Sequence, residues 1–187
     1  TLDAISVDLT LCSDLGVLQA LLGNLLYLHI VATAKNHGQS LVDMSTVIRT
    51  TSKKLKDKAP LRTSTVNMFR RPGKSPCLRA NADEARRMLP VVFEILKLFP
   101  MDSHHAELRF QCVRHMHEFY ETLYSWGPGS GLRASSLGRK HVILFAELSI
   151  EAQKSDANMW RVKPKHHLFI HVCEDQLATR RDPRQHW

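Results

Sequence analysis

The stretch Leu15–Ala34, LGVLQALLGNLLYLHIVATA, holds no Asp, Glu, Lys or Arg over 20 residues. That is enough apolar length for a helix to cross a bilayer. Gln19, Asn24 and His29 interrupt it, together with Gly16 and Gly23, and each polar group is costly in lipid. A helix buried inside a protein fits both facts better, with a membrane span as the alternative. Leu18, Leu21, Leu22, Leu25, Leu26 and Leu28 occupy most of its circumference, which predicts a central position. Asp14 stands where an N-cap would, and Asn36-His37-Gly38 supplies a stop. Just upstream, Ile5, Val7, Leu9 and Leu11 alternate with polar or small residues, the pattern of a short strand.

Outward from this stretch the signals are helical. A second, weaker helix is predicted from Leu41 through Ile48. Asn81 and Glu84 form an Asn-x-x-Glu capping box before a helix carrying Leu89, Val92, Phe93, Leu96 and Phe99. Pro90 is expected to kink its first half, and Pro100 marks its end. Ser103 caps the next helix, whose two apolar stripes (Leu108, Cys112, Met116, Phe119 and Leu123; Phe110, Val113, Tyr120 and Tyr124) call for burial on more than one side. Gly127-Pro128-Gly129-Ser130-Gly131 breaks the chain, and a further helix is predicted over Ser136–Gln153. Trp160–Lys163 is read as extended, and Pro164 suits the first turn of a last helix.

The fold class is therefore mainly α: an irregular bundle of five or six helices, with one or two short strands and a long basic linker. With 43% hydrophobic and 24% charged residues among 187, the chain can bury a core without staples and is read as one domain over residues 1–187. Beginning at Thr1, it is expected to be a fragment or processed form of a larger protein. Cys12, Cys77, Cys112 and Cys173 are far apart with no C-x-x-C, which argues against a disulfide scaffold or zinc knuckle and for a reduced, intracellular protein.

The net charge of +8 is concentrated. Residues 49–79 hold ten basic residues (Arg49, Lys53, Lys54, Lys56, Lys58, Arg62, Arg70, Arg71, Lys74 and Arg79) against Asp57, a net of +9, whereas the rest of the chain nets −1. Pro60, Pro72, Gly73 and Pro76 lie among them, so 49–79 reads as a mobile basic linker. Such a segment neutralises phosphates and releases their counterions; the plainer alternative is a solvated loop. Only Phe69 interleaves it, so base stacking is not indicated.

Other motifs carry less. His167 and His171 are spaced i,i+4, which lets both rings reach one divalent ion; alternatively one packs inside and the other is exposed. The Glu of H-E-x-x-H is missing. His104-His105 and His115-x-His117 do not converge on a single ion and read as surface histidines. Neither a P-loop nor a Gly-x-Ser-x-Gly elbow occurs. Asp8, in the strand-like run, and Asp14 read first as a turn acid and an N-cap.

Three blocks, in order, carry a resemblance. Val7–Val17 resembles the motif in which an Asp precedes an Asp-Leu-Gly-Val-like helix start in DDE-type transposases and their derivatives. Gly73–Arg86 resembles their basic Gly-Lys-x-Pro-x-Leu run leading into a helix with Glu-x-Arg and a Leu-Pro pair, here Leu89-Pro90. Val162–His171 resembles their Lys-Pro-Lys-x-His-x-x-x-His, and Asp182-Pro183-Arg184 with Trp187 resembles the Asn-Pro-Arg and Trp on its C-terminal side. The resemblance is to the helical insertion of a ribonuclease-H-like core and its flanks, in transposon-derived proteins abundant in some protist genomes. It implies a helical, DNA-associated protein of the cell interior, with the nucleus as one location. Leu11 stands where the motif has His, and the carboxylate set needed for two-metal cleavage is incomplete, so no catalytic role is carried to Asp8 or Asp14.

The expectation is a non-catalytic DNA-associated helical domain. Phosphate contacts are assigned to Lys53, Lys54, Lys56, Lys58, Arg70, Arg71 and Lys74, with a second basic edge at Lys163 and Lys165. The alternative is a protein-interaction or assembly module. No small-molecule substrate or cofactor is implied, with Mg²⁺ and Zn²⁺ left open.

Overall fold

The structure, a computed structural model, describes residues 10–32, 37–56, 65–98 and 101–177. A wide-wound π-helical segment, Thr10–Leu18, runs directly into α1 (Gln19–Ala32). There follow α2 (His37–Lys54), the single turn α3 (Val66–Phe69), α4 (Ala82–Leu96), α5 (His104–Tyr124), α6 (Ser130–Ala152) and α7 (Pro164–His171), which ends in a second π-helical turn, Val172–Leu177. No strand occurs among the described residues. The expected short strands are not found there: Leu11 is helical, Trp160–Lys163 is turn and coil, and residues 5–9 lie outside the described residues.

The uncharged stretch does form the centre. Val17, Leu18, Leu21, Leu22 and Ile30 are completely buried, and Leu25 and Leu26 nearly so. Leu11–Ile30 is long and apolar enough to cross a membrane, yet most of it is buried against the rest of the chain. Its polar residues are used inside the protein. The Asn24 amide donates to the Ala20 carbonyl at 2.7 Å, and its oxygen accepts from the Trp160 N–H at 2.7 Å. Gln19 donates to the Ala80 carbonyl at 2.6 Å. Buried polar groups of this kind are tolerated because their hydrogen bonds are made.

The helix α1 packs with α2, α3 and α4, while the α5–α6 hairpin forms the largest helix pair. Cys112, Val113, Met116, Phe119 and Leu123 of α5 and Ala134, Phe145 and Leu148 of α6 are its buried faces. The turn between the helices depends on Gly129, at φ +81°, where a side chain would be strained. Gly138 lets α6 close on the C-terminal segment: a Cβ there would lie 2.4 Å from the Cys173 sulfur.

Local end signals place several boundaries. Asn81 accepts from the Glu84 N–H at 2.8 Å while Glu84 accepts from the Asn81 N–H at 2.9 Å, the reciprocal box that starts α4. Ser103 accepts from the Ala106 N–H, capping α5, and Pro164 opens α7. The helix α4 runs on through Pro90 to Leu96.

Other expectations need correction. Asp14 is no N-cap: helical backbone begins at Thr10, and Asp14 sits inside the winding, 1% exposed. α6 starts six residues before Ser136, taking in Gly131. The linker 49–79 is not one mobile segment in its described parts. Its first residues are the last turns of α2, and 65–79 is fastened to the core by Phe69 and Leu78, both completely buried. Burying one such side chain is worth about 1.5–3 kcal/mol.

Candidate nucleic-acid interface

The basic loop is held from below by α1. A Cβ at Gly23 would lie 2.4 Å from the Cys77 backbone, so only glycine lets this chain lie directly on the helix. The Leu78 N–H donates to the Gln19 carbonyl at 2.8 Å. The loop closes on itself where the Cys77 and Arg79 N–H groups donate to the Phe69 and Met68 carbonyls, at 2.7 and 2.8 Å. Between these ties, residues 70–76 turn through Gly73, at φ +67°.

The cations on this loop divide in two. Arg70 faces inward: its guanidinium is 2.6 Å from an Asp156 carboxylate oxygen, donates to the Lys74 carbonyl at 3.1 Å and lies 4.9 Å over the Tyr27 ring. Hydrogen bonding from Arg70 holds the Asp156 carboxyl below its usual range. Arg71, Lys74 and Arg79 are exposed. With Arg70, Asn67 and Ser75 they border a hollow of about 230 Å³, and a neighbouring hollow of about 350 Å³, also lined by Arg70, extends from Arg71 to Tyr27. The Ser75 hydroxyl is buried and has no hydrogen-bond partner among the described residues.

The nine residues assigned to phosphate contact are therefore not equivalent. Arg70, Arg71, Lys74 and Arg79 all border the hollow, but Arg70 is already paired with Asp156. Lys53, Lys54 and Lys56 are exposed at and just beyond the end of α2. Lys165 is also committed internally, donating to the Leu15 carbonyl at 2.8 Å. Lys163 precedes α7, half-buried. Lys58 lies outside the described residues. Sequence reasoning missed Asn67 and Ser75 as lining residues; the turn residues Gly73 and Pro76 beside Ser75 were the available signal.

The resemblance-motif residues also separate. Asp8 lies outside the described residues. Asp14 accepts a short hydrogen bond from the Tyr120 hydroxyl, with Ser13 Oγ 2.6 Å from the same phenol oxygen and Arg86 Nη1 3.4 Å from the other carboxylate oxygen. Burial, then the Asp14 charge, pushes the Tyr120 phenol well above its usual range. This network fastens the first helical segment to α4 and α5, and it leaves the Asp14 carboxylate inside the protein rather than at a surface where DNA or a solvated metal would meet it.

No family model matches the chain, and no curated protein or solved structure is significantly similar to it.

His167 and His171 both face solvent, correcting the alternative in which one is packed inside; the buried imidazole of this segment is His166. Its Nδ1 accepts from the Lys163 N–H at 3.1 Å, and burial lowers its pKa to about 4. His141, which sequence reasoning did not single out, is completely buried, with Nδ1 2.9 Å from the Cys112 carbonyl oxygen, and burial lowers its pKa to about 3. No group of three or more His, Cys, Asp or Glu is placed to hold a metal among the described residues.

Proposed function

We propose that this chain is a non-catalytic, DNA-associated helical domain, related to transposase-like proteins, that contacts phosphates through its anchored basic loop. The observation that carries the reading is the grouping of Arg71, Lys74 and Arg79 around one hollow on a loop tied at both ends. A fixed loop presents its cations with less ordering cost on binding than a free one. Lys53, Lys54 and Lys56 add positive charge from the end of α2. Arg70, at the edge of the same hollow, is paired with Asp156 and holds the loop's geometry. The contacts are to backbone phosphates and carry no sequence preference of their own.

The test is binding of the chain to a short DNA duplex across a salt series, beside an Arg71→Ala/Lys74→Ala/Arg79→Ala variant. Each lost phosphate contact should reduce the steepness of log affinity against log salt by about 0.9. The triple variant should bind more weakly at every salt concentration, with a slope flatter by about 2–3. Unchanged affinity and slope would remove this loop as the site.

A second reading, a protein-interaction module, draws on α6, where Ile143 and Ile150 point outward two turns apart, 57% and 63% exposed. Absence of DNA binding at low salt would favour it.

A further inference from the structure

We propose that His167 and His171 form a two-histidine surface site for Zn²⁺ or another divalent transition ion that prefers nitrogen ligands. The two residues are one turn apart on α7, both exposed, with their Nε2 atoms 3.1 Å apart and ring centroids 4.5 Å apart. Two imidazoles binding one zinc at about 2.0–2.1 Å, with a ligand–metal–ligand angle between a right angle and the tetrahedral value, hold their nitrogens about 2.9–3.4 Å apart. The observed spacing falls within that interval, so the ion enters with little movement of either side chain.

The two Nε2 atoms face each other at hydrogen-bond distance, and which ring donates depends on the tautomers. Ligation needs both lone pairs, so the donor ring transfers its hydrogen to Nδ1 and the metal takes the bridging position. The helix supplies the preorganisation. Its first turn is fixed by Pro164 and by the Lys163 N–H bond to His166, and its inner face by completely buried Phe169. The other histidine pairs lack this arrangement: His104 and His105 are adjacent, His115 and His117 are two apart, and His141 and His166 are buried.

The pair supplies two of the four ligands that a tetrahedral zinc site takes. The site does not depend on the basic loop, and it stands or falls separately from the DNA reading.

The experiment is titration of the untagged full chain with ZnCl₂ by calorimetry. In parallel, the ring signals of His167 and His171 are followed by NMR. One equivalent should bind and shift both rings. His171→Ala and His167→Ala should each weaken binding about 10-fold or more, while His104→Ala and Cys77→Ser should leave it unchanged. Each variant's own metal-free melting temperature serves as its reference. Zinc should raise the melting temperature of the wild type more than that of either variant. Equal affinity in wild type and His171→Ala, saturation that moves other histidine signals instead, or loss of binding in Cys77→Ser would each overturn the proposal.

Discussion

The α5–α6 hairpin buries an almost continuous apolar seam, from Cys112 through Leu123 on one helix and from Ala134 through Leu148 on the other. Among the described side chains of residues 65–80, Phe69 and Leu78 are completely buried and Pro76 is buried. In place of area, the loop has a set of hydrogen bonds to residues far away in sequence, at Gln19, Asn24 and Asp156. The hairpin is stabilised by area, and the loop by a few well-placed polar contacts and one absent side chain at Gly23. Area-based stability is lost in proportion to what is removed. The loop can be released by a single change while the rest of the fold stays.

The largest effect expected is on the hairpin. Phe145→Ala removes a completely buried ring that packs edge-on against Trp160 and lies 4.4 Å from the His166 ring centroid. It should cost about 3–5 kcal/mol in chemical unfolding, and hydrogen exchange should accelerate throughout the chain. Acidification should act almost as strongly and on the same region. His141 and His166 titrate in the unfolded chain near the ordinary value of 6.5 but at about 3 and about 4 when folded. Their neutral forms cost nothing at pH 7, and the unfolded state gains protons first as the pH falls. Stability should therefore decline from about pH 6.5 down to about pH 4 for His166 and about pH 3 for His141, by ~2 kcal/mol for each ring at pH 5. Denaturant midpoints between pH 7.5 and 4.5 would check this; a flat profile would mean that the imidazoles are accessible to protons in the native state.

Gly23→Val should cost less, about 1–3 kcal/mol, because the 76–78 backbone can move off α1. The informative readout is local: amides of Cys77, Leu78 and Arg79 should lose protection while those of α5 and α6 keep theirs. Uniform loss would abolish the distinction between the two regions. The smallest effect is expected for Asn81→Ala, about 1 kcal/mol, since it removes the cap that separates the loop from α4 without disturbing either packed face. A thermal melt of that variant should still show one transition.

These regions also differ in how legible they are in the sequence. Asn81 with Glu84, Ser103 and Pro164 act within one helical turn, so the sequence pattern contains the whole cause. Asp14 satisfies the same local rule for a cap and fails it, because its partner Tyr120 lies 106 residues away and no local pattern encodes that hydrogen bond. The basic segment misleads similarly. Pro, Gly and clustered charge correctly mark a loop at 70–76, but whether a loop is loose depends on what receives it. Here the receivers are Gly23, Gln19 and Asn24, residues that within α1 look like interruptions of an apolar helix. Exposed Arg71 and internal Arg70 are neighbours of identical type, and only Asp156 and Tyr27 distinguish them. The α6 start lies at Ser130 because Gly129 supplies the left-handed turn, which leaves Gly131 free to be helical.

Asn24 has a consequence for observing the molecule. One amide group touches its own helix at Ala20, reaches toward the Pro76 carbonyl at 3.5 Å and receives the Trp160 N–H. Arg70 makes a second tie from the loop to the same α6–α7 connection, through Asp156. The Trp160 amide is thus a built-in gauge of the loop. Ligand captured at Arg71 and Lys74 should slow its exchange with solvent, and a variant that frees the loop should quicken it, so occupancy can be read at a backbone position that no ligand touches.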